Sequence, residues 1–153
     1  DFRFTMIINL RVKLMKKILL VEENLKYQQS QLSILQKIPH TKVLMATDGK
    51  TAYSILEKEN PEILISDTQL KDGSVNQLVK AFKRKQDGAR AILVKGKNQF
   101  KTSQIGTEGN LDKLLQNPYH PAPLLFSIKQ SLNYLSLVDV ALDPADLCSN
   151  NLH

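Results

Sequence analysis

Two short apolar runs that both end in acids constrain this chain more than any other feature. Ile18-Leu19-Leu20-Val21 runs into Glu22 and Glu23, and Ile63-Leu64-Ile65-Ser66 runs into Asp67. Both runs are strand-sized and almost unbroken in their apolar character, the pattern of strands covered on both faces. As parallel neighbours in one sheet, they would bring three carboxylates together at its carboxyl edge. Open α/β sheets take their ligands at that edge. Three carboxylates near one point repel each other, and a hard divalent cation such as Mg²⁺ or a basic side chain lets them coexist.

The rest of the chain alternates strand and helix around these two runs. Strands are expected at 17–21, 42–46, 63–66, 91–94 and 111–115. Asn24 is a good N-cap for a helix carrying Leu25, Leu32, Leu35 and Ile38, which Pro39 stops. Asp48-Gly49 reads as a turn before a helix over 51–59, which Asn60-Pro61 ends. Asp72-Gly73-Ser74 opens a helix reaching about Lys85, with Val75, Leu78, Val79 and Phe82 inward. Residues 95–110 are polar and contain three glycines, so any helix there is short. Pro121–Leu137 reads as the last helix. This order predicts an α/β fold, a five-stranded parallel sheet with helices on both faces.

Two segments flank that unit. Residues 1–14 alternate, with Phe2, Phe4, Met6, Ile8, Leu10, Val12 and Leu14 on one face. Period two predicts an additional N-terminal strand, paired with the sheet edge or with a second copy in a homodimer. The competing expectation is a remnant upstream of a natural start at Met15. The expected division is an extension over 1–15, a domain over 16–138 and a tail over 139–153.

Composition excludes several classes. The single cysteine, Cys148, rules out a disulfide within the chain and fits a reducing cytoplasm. No apolar run is long enough to span a membrane. The net charge of +6 is concentrated between Lys80 and Lys101, where eight basic residues face Asp87 alone. No aromatic interleaving accompanies them, so they read as a solvated face rather than a nucleic-acid site. No glycine-rich phosphate loop follows the first strand, and His40, His120 and His153 are scattered. An enzyme is therefore not expected.

The ordered motifs resemble the receiver domain of bacterial two-component response regulators, the CheY-like family with its flavodoxin-like fold. The resemblance covers Lys16 to about Leu137. It rests on Ile18–Asn24, similar to the family's first strand with its acidic pair, on Asp67-Thr68-Gln69-Leu70-Lys71-Asp72-Gly73-Ser74, similar to its D-x-x-L-P-D-G-S loop, and on Asn117-Pro118, where the family has Lys-Pro. The resemblance implies that Asp67 is the phosphoacceptor for a histidine kinase. It implies that Mg²⁺ is held by Asp67, Glu22, Glu23 and the carbonyl of Gln69.

The chain departs from the family at the positions that handle the phosphoryl group. Lys95 stands for the usual Thr or Ser, Leu114 for the switch aromatic and Asn117 for the usual Lys. Glu23 stands where Asp is usual, and Lys71 replaces the loop proline. A glutamate moves its carboxylate by about 1.5 Å relative to aspartate, a bond-length scale, which weakens Mg²⁺ binding. Asn117 carries no charge with which to stabilise a transferring phosphoryl group. The Lys95 amine is expected within salt-bridge distance of Asp67, Glu22 or Glu23. The peptide bond before Pro118 is expected to be cis, as in relatives.

Together these features predict a degenerate receiver, a pseudo-receiver, signalling through contacts with a protein partner, either a kinase or a downstream signalling protein. The alternative is a working phosphoacceptor using Mg²⁺ and Asp67. A nucleic-acid-binding module using the basic stretch is less favoured.

Overall fold

Alternation of side chains on two central strands determines where the core lies. The computed structural model describes residues 1–6, 15–85, 88–95, 113–116 and 121–142. Five strands form one sheet: β1 Lys16–Val21, β2 Thr41–Ala46, β3 Ile63–Asp67, β4 Arg90–Lys95 and β5 Lys113–Gln116. Their order is β2-β1-β3-β4-β5, and every neighbouring pair is parallel. The helices are α1, described over residues 2–6, then α2 Leu25–Leu35, α3 Gly49–Glu59, α4 Val75–Lys85 and α5 Pro121–Leu142.

Both faces of β1 and β3 are covered, and the alternation sorts their side chains into two cores. Leu19, Val21 and Leu64 pack with Ala91 and Leu93 against Ala52 and Leu56 of α3 and Val75, Leu78, Val79 and Phe82 of α4. Ile18, Leu20, Ile63 and Ile65 pack with Ile92, Val94 and Leu115 against Leu35 of α2 and Leu124, Ile128 and Leu135 of α5. The register is Ile18↔Ile63 through Val21↔Ser66. A slip of one residue would exchange the two sets of side chains, so double-sided burial specifies the register.

Local chemistry starts and stops the helices. The Asn24 side chain accepts from the Lys26 and Tyr27 amides at 3.0 and 3.3 Å. The Asp48 carboxylate accepts from the Thr51 amide at 2.7 Å. Asp48-Gly49 therefore opens α3 rather than forming a turn ahead of it. Asn60 ends α3 in the left-handed region, φ 48°, which asparagine tolerates, and Pro61 comes next. Gly88, with φ 83°, turns the chain toward β4. The last helix continues to Leu142, past the expected end at 137 and into the segment read as tail.

The N-terminal segment corrects the sequence reading where it is described. Residues 2–6 are helical, not extended. The Asp1 carboxylate accepts from the Arg3 amide at 3.2 Å, and the Asp1 carbonyl accepts from the Thr5 amide at 3.0 Å. Local capping thus satisfies the backbone without a partner strand, which an isolated strand cannot do. Phe2, Phe4 and Met6 stay 79, 65 and 57% exposed. Residues 7–14, the rest of the expected strand, lie outside the described residues, as does the short helix expected in 95–110.

Among the described residues, Phe82 is the largest fully buried side chain. Phe82→Ala is expected to lower unfolding free energy by about 3–5 kcal/mol through lost burial and the cavity left behind. Urea denaturation monitored by circular dichroism measures this. A loss below about 1 kcal/mol would mean that the α4 face of the core is not packed as described.

Candidate functional site

The β1–β3 register places Glu22, one residue past Val21, beside Asp67, one residue past Ser66. The ladder extends past the strand ends. The Glu22 amide donates to the Ala46 carbonyl at 3.0 Å, and the Thr68 amide to the Val94 carbonyl at 3.3 Å. The acids are therefore held on ordered backbone at the carboxyl edge of the sheet.

The three carboxylates differ in what they meet. Glu22 is buried, with 5% of its surface exposed, and one oxygen accepts from the Asn24 amide at 3.0 Å. Burial pushes its pKa above the usual 4.5. The Asn24 N–H opposes that rise, and the charges on Asp67 and Glu23 add to it. Asp67 is half-buried, and its Oδ1 accepts from the Gln69 amide at 3.3 Å and the Thr68 hydroxyl at 3.5 Å. Glu23 turns instead to the β3–α4 loop. Its Oε1 accepts from the Lys71 amide at 2.7 Å, and its Oε2 lies 3.9 Å from the Lys71 ammonium.

These contacts decide how the site compares with the expected Mg²⁺ set. Among the described residues, no group of three or more His, Cys, Asp and Glu side chains is disposed to hold a metal ion. Glu22 and Asp67 are neighbours, but Glu23 is engaged elsewhere. In this arrangement two carboxylates of the expected set, Glu22 and Asp67, are left to hold a Mg²⁺, while Glu23 is held by Lys71.

Two loop residues have structural roles that the sequence did not reveal. One is Lys71, through its backbone N–H. The other is Asp72, whose two carboxylate oxygens accept from the Gly49 and Lys50 amides at 2.8 and 2.9 Å. These are the first residues of α3, whose amides have no partner within the helix. The Lys50 and Gly49 N–H groups hold the Asp72 pKa below its ordinary value, so this contact is lost as pH falls through that lowered value. A Cβ on residue 49 would come within 2.9 Å of Asp72 Oδ1. Glycine at the first position of α3 was the available signal.

The remaining expected positions fall at or beyond the limits of description. Lys95 ends β4 opposite Gln116, and Leu114 lies in β5 opposite Leu93, but both side chains are outside the described residues. The Lys95 salt bridge and the cis bond at Asn117-Pro118 are therefore outside them as well. Two members of the basic stretch are engaged internally. Lys85 pairs with Glu57 at 3.0 Å, and the Lys83 ammonium donates to the Ala89 carbonyl. Among the described residues, no helix is long and apolar enough to cross a membrane.

No protein-family model and no curated protein matches the sequence. Solved structures do match the backbone. The signal receiver domain of an HD domain-containing protein from Pseudomonas fluorescens Pf-5 aligns with TM-score 0.70 and 23% identity, covering 78% of this chain and 96% of that one. The signal receiver domain of a Luxo repressor protein from Vibrio parahaemolyticus aligns with TM-score 0.74 and 17% identity, covering 85% and 99%. A CheY-like response regulator receiver domain protein from Methanospirillum hungatei JF-1 aligns with TM-score 0.69 and 24% identity, covering 78% and 94%. The chain has the fold of response-regulator receiver domains.

Burial and the neighbouring acids make ionised Glu22 a cost to the fold. Because its folded pKa is raised, its favourable contribution is full below pH 4.5 and is lost as pH rises through the raised value. Glu22→Gln keeps the acceptor for Asn24 and removes the charge. The variant is expected to unfold at a higher temperature than wild type at pH 7, with the advantage disappearing below about pH 4.5. Calorimetry across that range tests it, and an equal or lower midpoint at pH 7 would refute it.

Proposed function

We propose that this chain is a degenerate receiver, a module of two-component-type signalling that works through protein contacts with little or no phosphotransfer. The observation that carries the reading is the engagement of Glu23 by the Lys71 amide at 2.7 Å. It removes one carboxylate from the set that would hold the cation needed to neutralise a transferring phosphoryl group. The sequence supports the same reading at two further positions. Asn117 brings no charge to the phosphoryl oxygens, and Lys95 brings no hydroxyl.

The partner on this reading is a protein, a histidine kinase or a downstream signalling protein, and the compartment is the cytoplasm. Self-association through residues 1–14 belongs to the same proposal, on the exposed Phe2, Phe4 and Met6. Its geometry is not strand pairing where the segment is described.

The second reading is a working acceptor, favoured by the position of Asp67. It ends β3 at the ligand-binding edge and is half-exposed. Incubation with acetyl phosphate and Mg²⁺, then intact mass, separates the two. The degenerate receiver is expected to gain no phosphoryl group. A gain of one phosphoryl group, absent from Asp67→Ala, would establish the acceptor instead.

A further inference from the structure

The Glu23 contact is made to a backbone N–H, and that decides what it can do. A proline at 71 would offer no such donor. An aspartate at 23 would hold its carboxylate shorter by about 1.5 Å, out of hydrogen-bond range of a contact now at 2.7 Å. The two residues therefore work only as a pair. The Lys71 ammonium contributes much less. It stands 3.9 Å away on a side chain that is 88% exposed, whereas the Glu23 side chain is only 19% exposed. Exposed ion pairs of that kind are weak, while a short N–H donated to a carboxylate is a strong hydrogen bond.

The next residue continues the arrangement. Asp72 receives the first two amides of α3, at 2.8 and 2.9 Å. Between and around them the loop closes on itself through the Leu70–Gly73 bridge, and Leu70 packs against the core. Consecutive residues thus tie the β3–α4 loop to two different elements, the end of β1 and the start of α3. All of these contacts are made by the chain itself.

We propose that Glu23 and Lys71 form a clasp that fixes the β3–α4 loop without a cation, and that a divalent cation can recruit Glu23 only by breaking it. The clasp therefore lowers the affinity of this edge for divalent cations while keeping the loop in one conformation. It acts on the loop and the cation whether or not Asp67 accepts a phosphoryl group.

Two measurements on the full chain test it. The first is amide hydrogen exchange by NMR on chelator-treated protein. The Lys71 amide is expected to be protected in wild type and to lose that protection in Glu23→Asp. An unprotected Lys71 amide in the wild-type protein would overturn the clasp with no variant needed. The second is Mn²⁺ binding by electron paramagnetic resonance, with Mn²⁺ alone as the probe. Lys71→Pro and Glu23→Asp are each expected to bind Mn²⁺ about tenfold or more tightly than wild type, the scale on which groups contacting a ligand tune metal affinity. Lys71→Ala keeps the N–H and is expected to bind as wild type does. If Lys71→Pro fails to fold, Glu23→Asp makes the same comparison. Unchanged affinity in the folded variants, or an equal gain in Lys71→Ala, would overturn the proposal. The phosphoryl mass measurement reads Asp67 alone, so the two failures are distinguishable.

Discussion

The parallel pairing of β1 with β3 is the constraint on which the rest of the structure depends. Both strands are buried on both faces, and their register runs from Ile18↔Ile63 to Val21↔Ser66. Shifting one strand by a residue would send Leu19 and Leu64 to opposite cores. The hydrophobic effect therefore fixes the positions at which both strands end. The acids just past those ends, Glu22 and Glu23 after β1 and Asp67 at the close of β3, are brought together by packing and not by any attraction among themselves. They repel, and the fold tolerates the repulsion because apolar burial in the central strands outweighs it.

Each of the three carboxylates meets a backbone donor that partly offsets its charge. Asn24 donates to Glu22, Gln69 to Asp67 and Lys71 to Glu23. A fourth carboxylate, Asp72, takes the two amides that open α3. Amide groups at strand ends, turns and helix starts are the chain's own supply of positive partial charge. They act at fixed positions and need no ion from solution. Each carboxylate engaged in this way also orders a stretch of loop, so the same contacts that offset charge give the edge its shape.

Much of this is legible in the sequence, and the limits have physical causes. The five strands come from apolar runs whose double-sided burial leaves a strong signal, and the order β2-β1-β3-β4-β5 bears out the expected flavodoxin-like sheet. The adjacency of Glu22 and Asp67 is implied by the runs that precede them. The direction of Glu23 is not, because a glutamate one residue past a strand can reach either the sheet edge or the next loop. Only the loop's backbone path decides between them. Asp72-Gly73-Ser74 reads as a local start to α4, but the Asp72 carboxylate finds its partners in α3, more than twenty residues away. Residues 2–6 differ from expectation for another reason. Their alternation is real, but Asp1 supplies a local cap, and no neighbouring strand is needed to satisfy a helical turn.

The central claim is that the carboxyl edge of this sheet is ordered by the chain's own amides and not by a cation. A crystal structure of the protein grown with Mg²⁺ at about physiological concentration tests this most directly. The account predicts that Glu23 Oε1 stays within hydrogen-bond distance of the Lys71 amide, with no ion bridging Glu22, Glu23 and Asp67. A Mg²⁺ seated among those three carboxylates, with Glu23 swung away from Lys71, would contradict it.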